Sequence, residues 1–470
     1  MMQEVPINVV GPTGGHRSRQ FSDELTLNMY LDYNESSDRK GCHDFPGLKA
    51  WCSASGADRG WHVMNTALYK VNATNLVSAS STGTATTLGT IGGSDRAIFA
   101  DDGTNLYIVA NGSIYRWNGS ALSAVTQSVV TNPGSIAYIN RRFIITGENG
   151  LFGTSDVGDG TTYNALNYAE AEASPDPLFR AYVYSQLLYL AGAKSVEPWW
   201  NSGEGNPPFA RQDSALMNIG IAGKYAITST DQYMYWLNDE RQFVQSVGSS
   251  ARSISTPSIA HKVEGYSAVS DCIASTCTFD GQTFIFFAFP TANKTLYYSE
   301  TSNYWGELQS DTEYPGDRWY GNAVIRCYDK NLVADYRNGN VYELDLSTYT
   351  DNGDTRLRIR TLPTITSKLI GRPGRRVTVS GITFDCQVGV GLATGQGVAP
   401  VLMCEFANDG GHTYGAESQV SIGAMGNYTL PVKFDAFATG YAIRTRIKCS
   451  DPVYFSLFDT AVVKMRDAGY

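Results

Sequence analysis

The sequence predicts an all-β chain, a β-propeller of six or seven blades followed by a C-terminal β-sandwich or jelly-roll domain. Three observations predict it. Between Trp61 and Leu346 one kind of unit recurs at a period of roughly 40 to 50 residues: a strand rich in Tyr, Phe, Ile and Val, a Gly, Asn or Asp turn, and another such strand. A single unit of this kind cannot bury its own apolar face and must stack on the next. The composition agrees, with 47 Gly, 29 Tyr and only 17% charged residues in 470, as expected for many turns between half-buried strands. Beyond about Asp351 the period is lost while short strands continue, spaced at roughly 8 to 12 residues, as in a sandwich.

The clearest units are Asn105-Leu-Tyr-Ile-Val-Ala-Asn-Gly-Ser-Ile-Tyr-Arg-Trp117, Arg142-Phe-Ile-Ile-Thr-Gly-Glu-Asn-Gly-Leu-Phe152 and Asn331-Leu-Val-Ala-Asp-Tyr-Arg-Asn-Gly-Asn-Val-Tyr-Glu-Leu344. Looser copies occupy Gln186–Trp200, Lys224–Trp236 and Thr283–Tyr298, and Ala67–Val77 is a candidate first blade. The series divides the chain into an arm with first strands (1–60), a propeller (61–350) and a sandwich (351–470). In the arm, Gly11-Pro-Thr-Gly-Gly15 forces turns, His16-Arg-Ser-Arg19 is basic, and Leu25–Tyr33 can pair as a strand. Arms of this kind pack along a neighbouring subunit or close a ring of blades. Tyr163–Asp176 permits a short helix that must end at Pro175 and Pro177, and the polar Asp311–Asp317 with Pro315-Gly316 reads as an exposed loop. Asn352-Gly353-Asp354 reads as a hinge. Turns in the last domain are expected at Gly371-Arg-Pro-Gly374, Ala407–Gly411 and Gly423–Gly426.

Several function classes lack their parts. The longest apolar run, Phe284–Phe289, is far short of a membrane span, so no membrane insertion is expected. The start Met1-Met-Gln-Glu-Val-Pro shows no export signal, so folding is expected in the cytoplasm that makes the chain. Eight Cys are below disulfide-scaffold density, and Cys327, Cys386, Cys404 and Cys449 sit in apolar strands as small hydrophobes. Cys42-His43 with Cys52 and His62 matches no zinc spacing, and Cys272 with Cys277 stands no better. No metal or cofactor is expected. No GxxxxGK[ST], HExxH or G-x-S-x-G occurs, and five scattered His leave little for acid–base chemistry.

Two carbohydrate readings compete with a non-enzymatic one. Ala407-Asn-Asp-Gly-Gly-His-Thr-Tyr414 resembles the Asp-box turn of sialidases, with Ala at the usual Ser position and Tyr at the usual Trp. That box is a folding element, in which Asp409 and Gly411 hold a turn and Tyr414 plugs an apolar layer. Thr154–Gly158 is a poorer match. A sialidase-like site would need an Arg triad and a Tyr–Glu pair; Arg96, Arg180, Arg252 and Glu197 can be nominated, but no spacing joins them. As a lectin, the chain could stack Trp199-Trp200 on sugar rings; the alternative is that both plug neighbouring blades.

The net charge of −9 is uneven: residues 351–470 hold 13 basic and 10 acidic side chains, leaving 23 and 35 for residues 1–350. An acidic propeller repels phosphate, which excludes tight general binding to nucleic acid. Arg356, Arg358, Arg360, Lys368, Arg372, Arg375 and Arg376 form a run without an acidic residue, a candidate assembly surface against the solvated strand face such runs usually are.

Three stretches carry a family resemblance. They are Leu27-Asn-Met-Tyr-Leu-Asp32 with Phe45-Pro-Gly-Leu48; Ala173-Ser-Pro-Asp-Pro177, then Glu197-Pro-Trp-Trp-Asn-Ser-Gly203, Phe209 and Gly220-Ile221; and Asn408-Asp-Gly-Gly411 with Tyr414-Gly415. In this order the chain resembles the tail-hub, or packaged-DNA stabilisation, proteins of short-tailed bacteriophages, similar in role to phage nozzle proteins. The resemblance implies a virion protein, assembled in the bacterial host as a six-fold ring below the portal and adaptor. Such a ring extends the DNA channel, keeps packaged DNA from leaking, and carries the tail needle or tip and the tailspikes or fibres. Double-stranded DNA would pass without specific binding. Family members work by assembly and supply no catalytic residues to transfer. The Gly11–Gly15 stretch departs from the family pattern, which leaves the arm's contacts open.

Overall fold

A computed structural model describes residues 2–15, 17–19, 23–34, 38–147, 150–171, 176–435 and 438–469. Seven four-stranded antiparallel blades follow one another around an axis. Their first strands are Asp58–Met64, Ile98–Asp101, Ser135–Ile139, Leu178–Tyr184, Ile227–Ser229, Ile273–Phe279 and Gly321–Cys327. In five blades a two-residue turn joins first and second strands: Asn65-Thr66, Asn140-Arg141, Ser185-Gln186, Asp280-Gly281 and Tyr328-Asp329, all with positive φ. Left-handed geometry at both turn residues matches the right-handed twist of the strands it joins, which keeps each hairpin in register. The repeating sequence unit maps mostly onto the second and third strands of a blade, as in Leu106–Ala110 with Ser113–Trp117. Lys224–Trp236 instead covers the first two strands of the fifth blade, Ile227–Ser229 and Met234–Leu237.

Each blade buries both faces against its neighbours. That is why middle strands such as Leu106–Ala110 are apolar throughout and wholly buried instead of alternating. Aromatic side chains fill the wedges: Tyr107 meets Phe143 at 4.1 Å between the second and third blades, and Phe243 meets Phe287 at 4.5 Å between the fifth and sixth.

The ring closes through the arm. The seventh blade takes three strands from Gly321–Cys327, Lys330–Asp335 and Val341–Asp345, and its fourth from Gly47–Cys52, paired with Tyr342 opposite Ala50 and Leu344 opposite Leu48. Phe45 and Leu48, both wholly buried, pack with Phe284, Trp319 and Tyr342 between blades six and seven. The propeller therefore does not begin at residue 61, and of the two roles expected of the arm, it is closing the ring of blades that Gly47–Cys52 performs. Gln3–Asn8 pairs with Thr460–Gly469, and Met29–Asn34 with Arg39–Asp44, which in turn pairs with Ser456–Phe458.

Nor is the part beyond residue 351 separate. Leu25–Leu27 pairs parallel to the outer strand of blade six (Leu27 opposite Glu307) and antiparallel to Arg358–Thr361, so one nine-stranded sheet runs from blade six to Ser418–Ser421. The Asn352-Gly353 pair is no hinge. It is the turn of a small hairpin, Thr350–Asp351 with Asp354–Thr355, attached to the closing strand of blade seven. Opposite the C-terminal part of the nine-stranded sheet lies a five-stranded sheet built on Arg376–Phe384 and Thr460–Gly469. Val377, Val379, Leu402, Ile447, Val463 and Met465 form a core between the two sheets.

One local expectation needs correction. Within Tyr163–Asp176 the described residues form no helix; Tyr168–Glu170 is the outer strand of blade three, because pairing with Leu151–Thr154 outweighs the helical propensity of Ala and Glu. Glu172–Pro175 of that segment, like His16 and Glu148-Asn149, lies outside the described residues. The α-helix among the described residues is Pro257–Glu264, with Thr256 accepting from Ile259 N–H as N-cap and Pro257 in the first turn.

Candidate functional site

Alternate residues of a strand point the same way, so Arg356, Arg358 and Arg360 share a face. That face is turned inward. Their exposures are 1%, 0% and 0%. Arg356 donates to Asp44 Oδ1 at 3.0 Å, Asp351 Oδ1 at 3.3 Å and the Pro46 carbonyl at 2.9 Å, and also to the Phe45 carbonyl. Arg358 donates to the carbonyls of Asp451 and Val453 at 2.5 and 2.9 Å. Arg360 donates to the Val9 carbonyl and to Glu24 Oε2, both at 2.6 Å. These three arginines are internal fasteners and not the assembly surface the sequence led one to expect. Apart from Asp351, five residues from Arg356, their carboxylates Asp44 and Glu24 lie more than 300 residues away in the chain, so the run looks largely unpaired when only its own neighbourhood is read.

Sequence reasoning missed a fourth member, Arg444, wholly buried, whose Nη2 donates to the Arg19 carbonyl at 2.6 Å. One signal was available. Arg444-Thr-Arg446-Ile-Lys448 repeats the alternation of Arg356-Leu-Arg-Ile-Arg360, and the two strands lie side by side with Arg360 opposite Ile447.

The rest of the run is at the surface. Lys368 stands on the turn Ser367–Ile370, and Arg372, Arg375 and Arg376 lead into the strand Arg376–Phe384. Arg372 and Arg375 share Asp467 Oδ2 at 2.8 and 2.9 Å. The Gly469 N–H, then Arg372 and Arg375, hold that carboxyl at about 2, well below the ordinary range. Arg466 is also exposed, opposite Thr378 on the adjoining strand.

At Asp409 the carboxylate accepts from the backbone N–H of His412 and Thr413 at 2.9 and 3.0 Å, while Gly410 and Gly411 take positive φ. Tyr414, half-buried, stacks under the Arg446 guanidinium at 3.7 Å. This turn sits on the edge of the nine-stranded sheet, in line with Ala407.

A family model described as bacteriophage P22 Gp10, β-propeller, of the phage-stabilisation type, matches residues 3–349. The chain belongs to the bacteriophage P22 Gp10 family. It is a structural tail protein of a phage, built on a β-propeller. The matched residues include all seven blades and the closing strand Gly47–Cys52, whereas the basic patch and the Asp409 turn lie beyond them.

A comparison with curated protein sequences found no match. Among solved structures, this P22 Gp10 family member is similar to the WD40 propeller domain of Doa1 (12% identity, TM-score 0.43, 64% of this chain and 99% of that one). It is also similar to YCF48 bound to D1 peptide (9%, 0.43, 64% and 98%). The extracellular domain of BT4673 from B. thetaiotaomicron gives 10% identity and a TM-score of 0.45 over 82% of this chain and 48% of that one. None of these likenesses bears on function.

In this P22 Gp10 relative the residues nominated for glycoside chemistry do not converge. Glu197 is buried in the third strand of blade four, accepting from Trp199 Nε1 at 3.1 Å and facing Arg211 at 3.7 Å. Arg252 lies on the outer strand of blade five and donates to Gln245 Oε1. Of the four, only Arg96 and Arg180 line one cavity, at the propeller axis, without Glu197 or Arg252. The Trp pair splits: Trp199 packs on Phe152 at 5.1 Å between blades, and Trp200 faces solvent at 47%. All eight Cys are buried and unpaired, and among the described residues no three His, Cys, Asp or Glu side chains are placed to hold a metal. No helix among them is long and apolar enough to cross a membrane.

Proposed function

We propose that this chain is the subunit of a phage tail hub or nozzle, a closed homo-oligomeric ring with six-fold symmetry. In this reading the ring assembles below the portal–adaptor complex in the host cytoplasm. In the virion it extends the DNA channel, retains the packaged genome, and attaches the tail tip or needle and the tailspikes or fibres. The match of residues 3–349 to the P22 Gp10 family carries the proposal.

Charge and construction support it. With 35 acidic against 23 basic side chains in residues 1–350, the propeller suits a conduit through which DNA slides without being held. Strands from the arm are consumed inside the fold, which favours a stiff preformed subunit that assembles by surface contact. A ring of identical chains uses one heterologous interface repeated about its axis. Lys368, Arg372, Arg375, Arg376 and Arg466 then form part of such an interface, facing an acidic surface of the adaptor or of the adjacent subunit's propeller.

Native mass and negative-stain imaging of the purified chain, alone and with the adaptor complex, test this reading. A ring in either condition supports it. A chain that stays monomeric with adaptor present and is missing from mature tails overturns it.

A further inference from the structure

At the propeller axis the first strands of six blades enclose a cavity of about 420 Å³. Its wall carries Arg96, Arg180, Arg326 and His62, and among the described residues no Asp or Glu lines it. In a chain of net charge −9 this is an inversion of the surrounding sign.

Three of the four basic groups have a carboxylate nearby. Arg96 pairs with the buried Asp58 at 2.9 Å, His62 with Asp101 at 2.6 Å, and Arg326, at the mouth, with Asp329 at 3.6 Å. Arg180 has none among the described residues. Its Nη1 donates to the Lys224 carbonyl at 3.2 Å, its guanidinium lies 5.7 Å from the Tyr182 ring centre, and its buried Nε has no hydrogen-bond partner. Burial pushes its pKa down, and the neighbouring Arg96 charge acts in the same direction.

Behind the wall, Arg318 adds to the field. It donates to Asn322 Oδ1 at 3.3 Å, stacks on Tyr336 at 3.8 Å, leaves Nη1 without a partner, and has its pKa lowered by burial to about 10. Arginine left buried without a counter-charge is unfavourable, and an anion relieves it.

We infer that the axial cavity is a binding site for a compact oxyanion, a carboxylate or a phosphate group, held by the guanidinium of Arg180, which has no carboxylate partner among the described residues. The planar guanidinium edge offers two parallel N–H groups, the geometry that matches two oxygens of either group. Ile227, Ile273 and Val324 supply an apolar wall for a small organic part of the ligand. The cavity is far too small for a DNA duplex, so this inference is independent of the channel proposed above.

The test is thermal shift and calorimetry on the full chain with inorganic phosphate, with acetate, and with chloride at matched ionic strength. Saturable one-to-one stabilisation by phosphate or acetate beyond that of chloride is expected, and which of the two acts separates phosphate from carboxylate ligands. Arg180→Met should weaken it at least about ten-fold, the usual loss with a charged hydrogen bond, while Arg252→Met leaves it unchanged. If Arg180→Met does not fold, Arg180→Lys, which keeps the charge and loses the fork, is expected to weaken it comparably. Absence of saturable binding by both anions, or binding that survives the Arg180 substitution that folds, overturns the inference.

Discussion

Arg356 Nη2 donates to Asp44 Oδ1 at 3.0 Å, joining residues 312 positions apart whose side chains are 1% and 0% exposed. This contact ties the segment that closes the propeller to the first strand of the C-terminal layers. Removing one partner of a buried pair leaves the other charge stranded, a loss of about 3 to 5 kcal/mol. Arg356→Met should therefore destabilise by about that amount in urea unfolding. The double variant with Asp44→Asn should lose less than the sum of the two single changes. Strict additivity would show that the pair does not act as a unit.

Leu48 sits in the closing strand opposite Leu344, wholly buried between blades six and seven. Leu48→Ala should cost about 2 to 5 kcal/mol, as for a large-to-small change in a core. Protease cleavage between blades seven and one should also accelerate, since this strand completes the ring. Unchanged proteolysis together with a small loss would place the closure elsewhere.

For the surface patch, the triple change Arg372→Ser, Arg375→Ser and Arg376→Ser should leave the monomer folded and reduce ring or tail incorporation. Exposed pairs contribute only about 0 to 1 kcal/mol each, so single changes should have little effect. Wild-type incorporation should fall as salt is raised. Normal incorporation of the triple variant into DNA-retaining particles would show the patch to be a solvated face.

The Asp467 carboxyl offers a titration test. Its folded pKa of about 2 lies below the ordinary value near 3.9, so its contacts with Gly469 N–H, Arg372 and Arg375 contribute above the unfolded value and are lost as pH falls through about 2. Carboxyl carbon NMR should give a midpoint near about 2, moving upward in the Arg372→Ser/Arg375→Ser variant. An ordinary midpoint in the wild type would mean the shared ion pair does not form in solution.

Sequence alone determined the all-β class, the repeating blade and most of its turns, because these depend on neighbours. Alternation along a strand and a residue able to take positive φ, such as Asn65 or Asp280, are local properties. The helix Pro257–Glu264 carries the same kind of local signal, Thr256 as N-cap before Pro257. Tertiary structure decided the rest: the fourth strand of blade seven, the sheet that runs through Leu25–Leu27 into the C-terminal layers, and the burial of Arg356, Arg358 and Arg360. An Arg at every second strand position has the same local pattern whether it faces water or a carboxylate. Which it meets depends on the pairing of residues hundreds of positions apart, as Asp44 and Glu24 are from their arginines, and that pairing is set only when the sheets close.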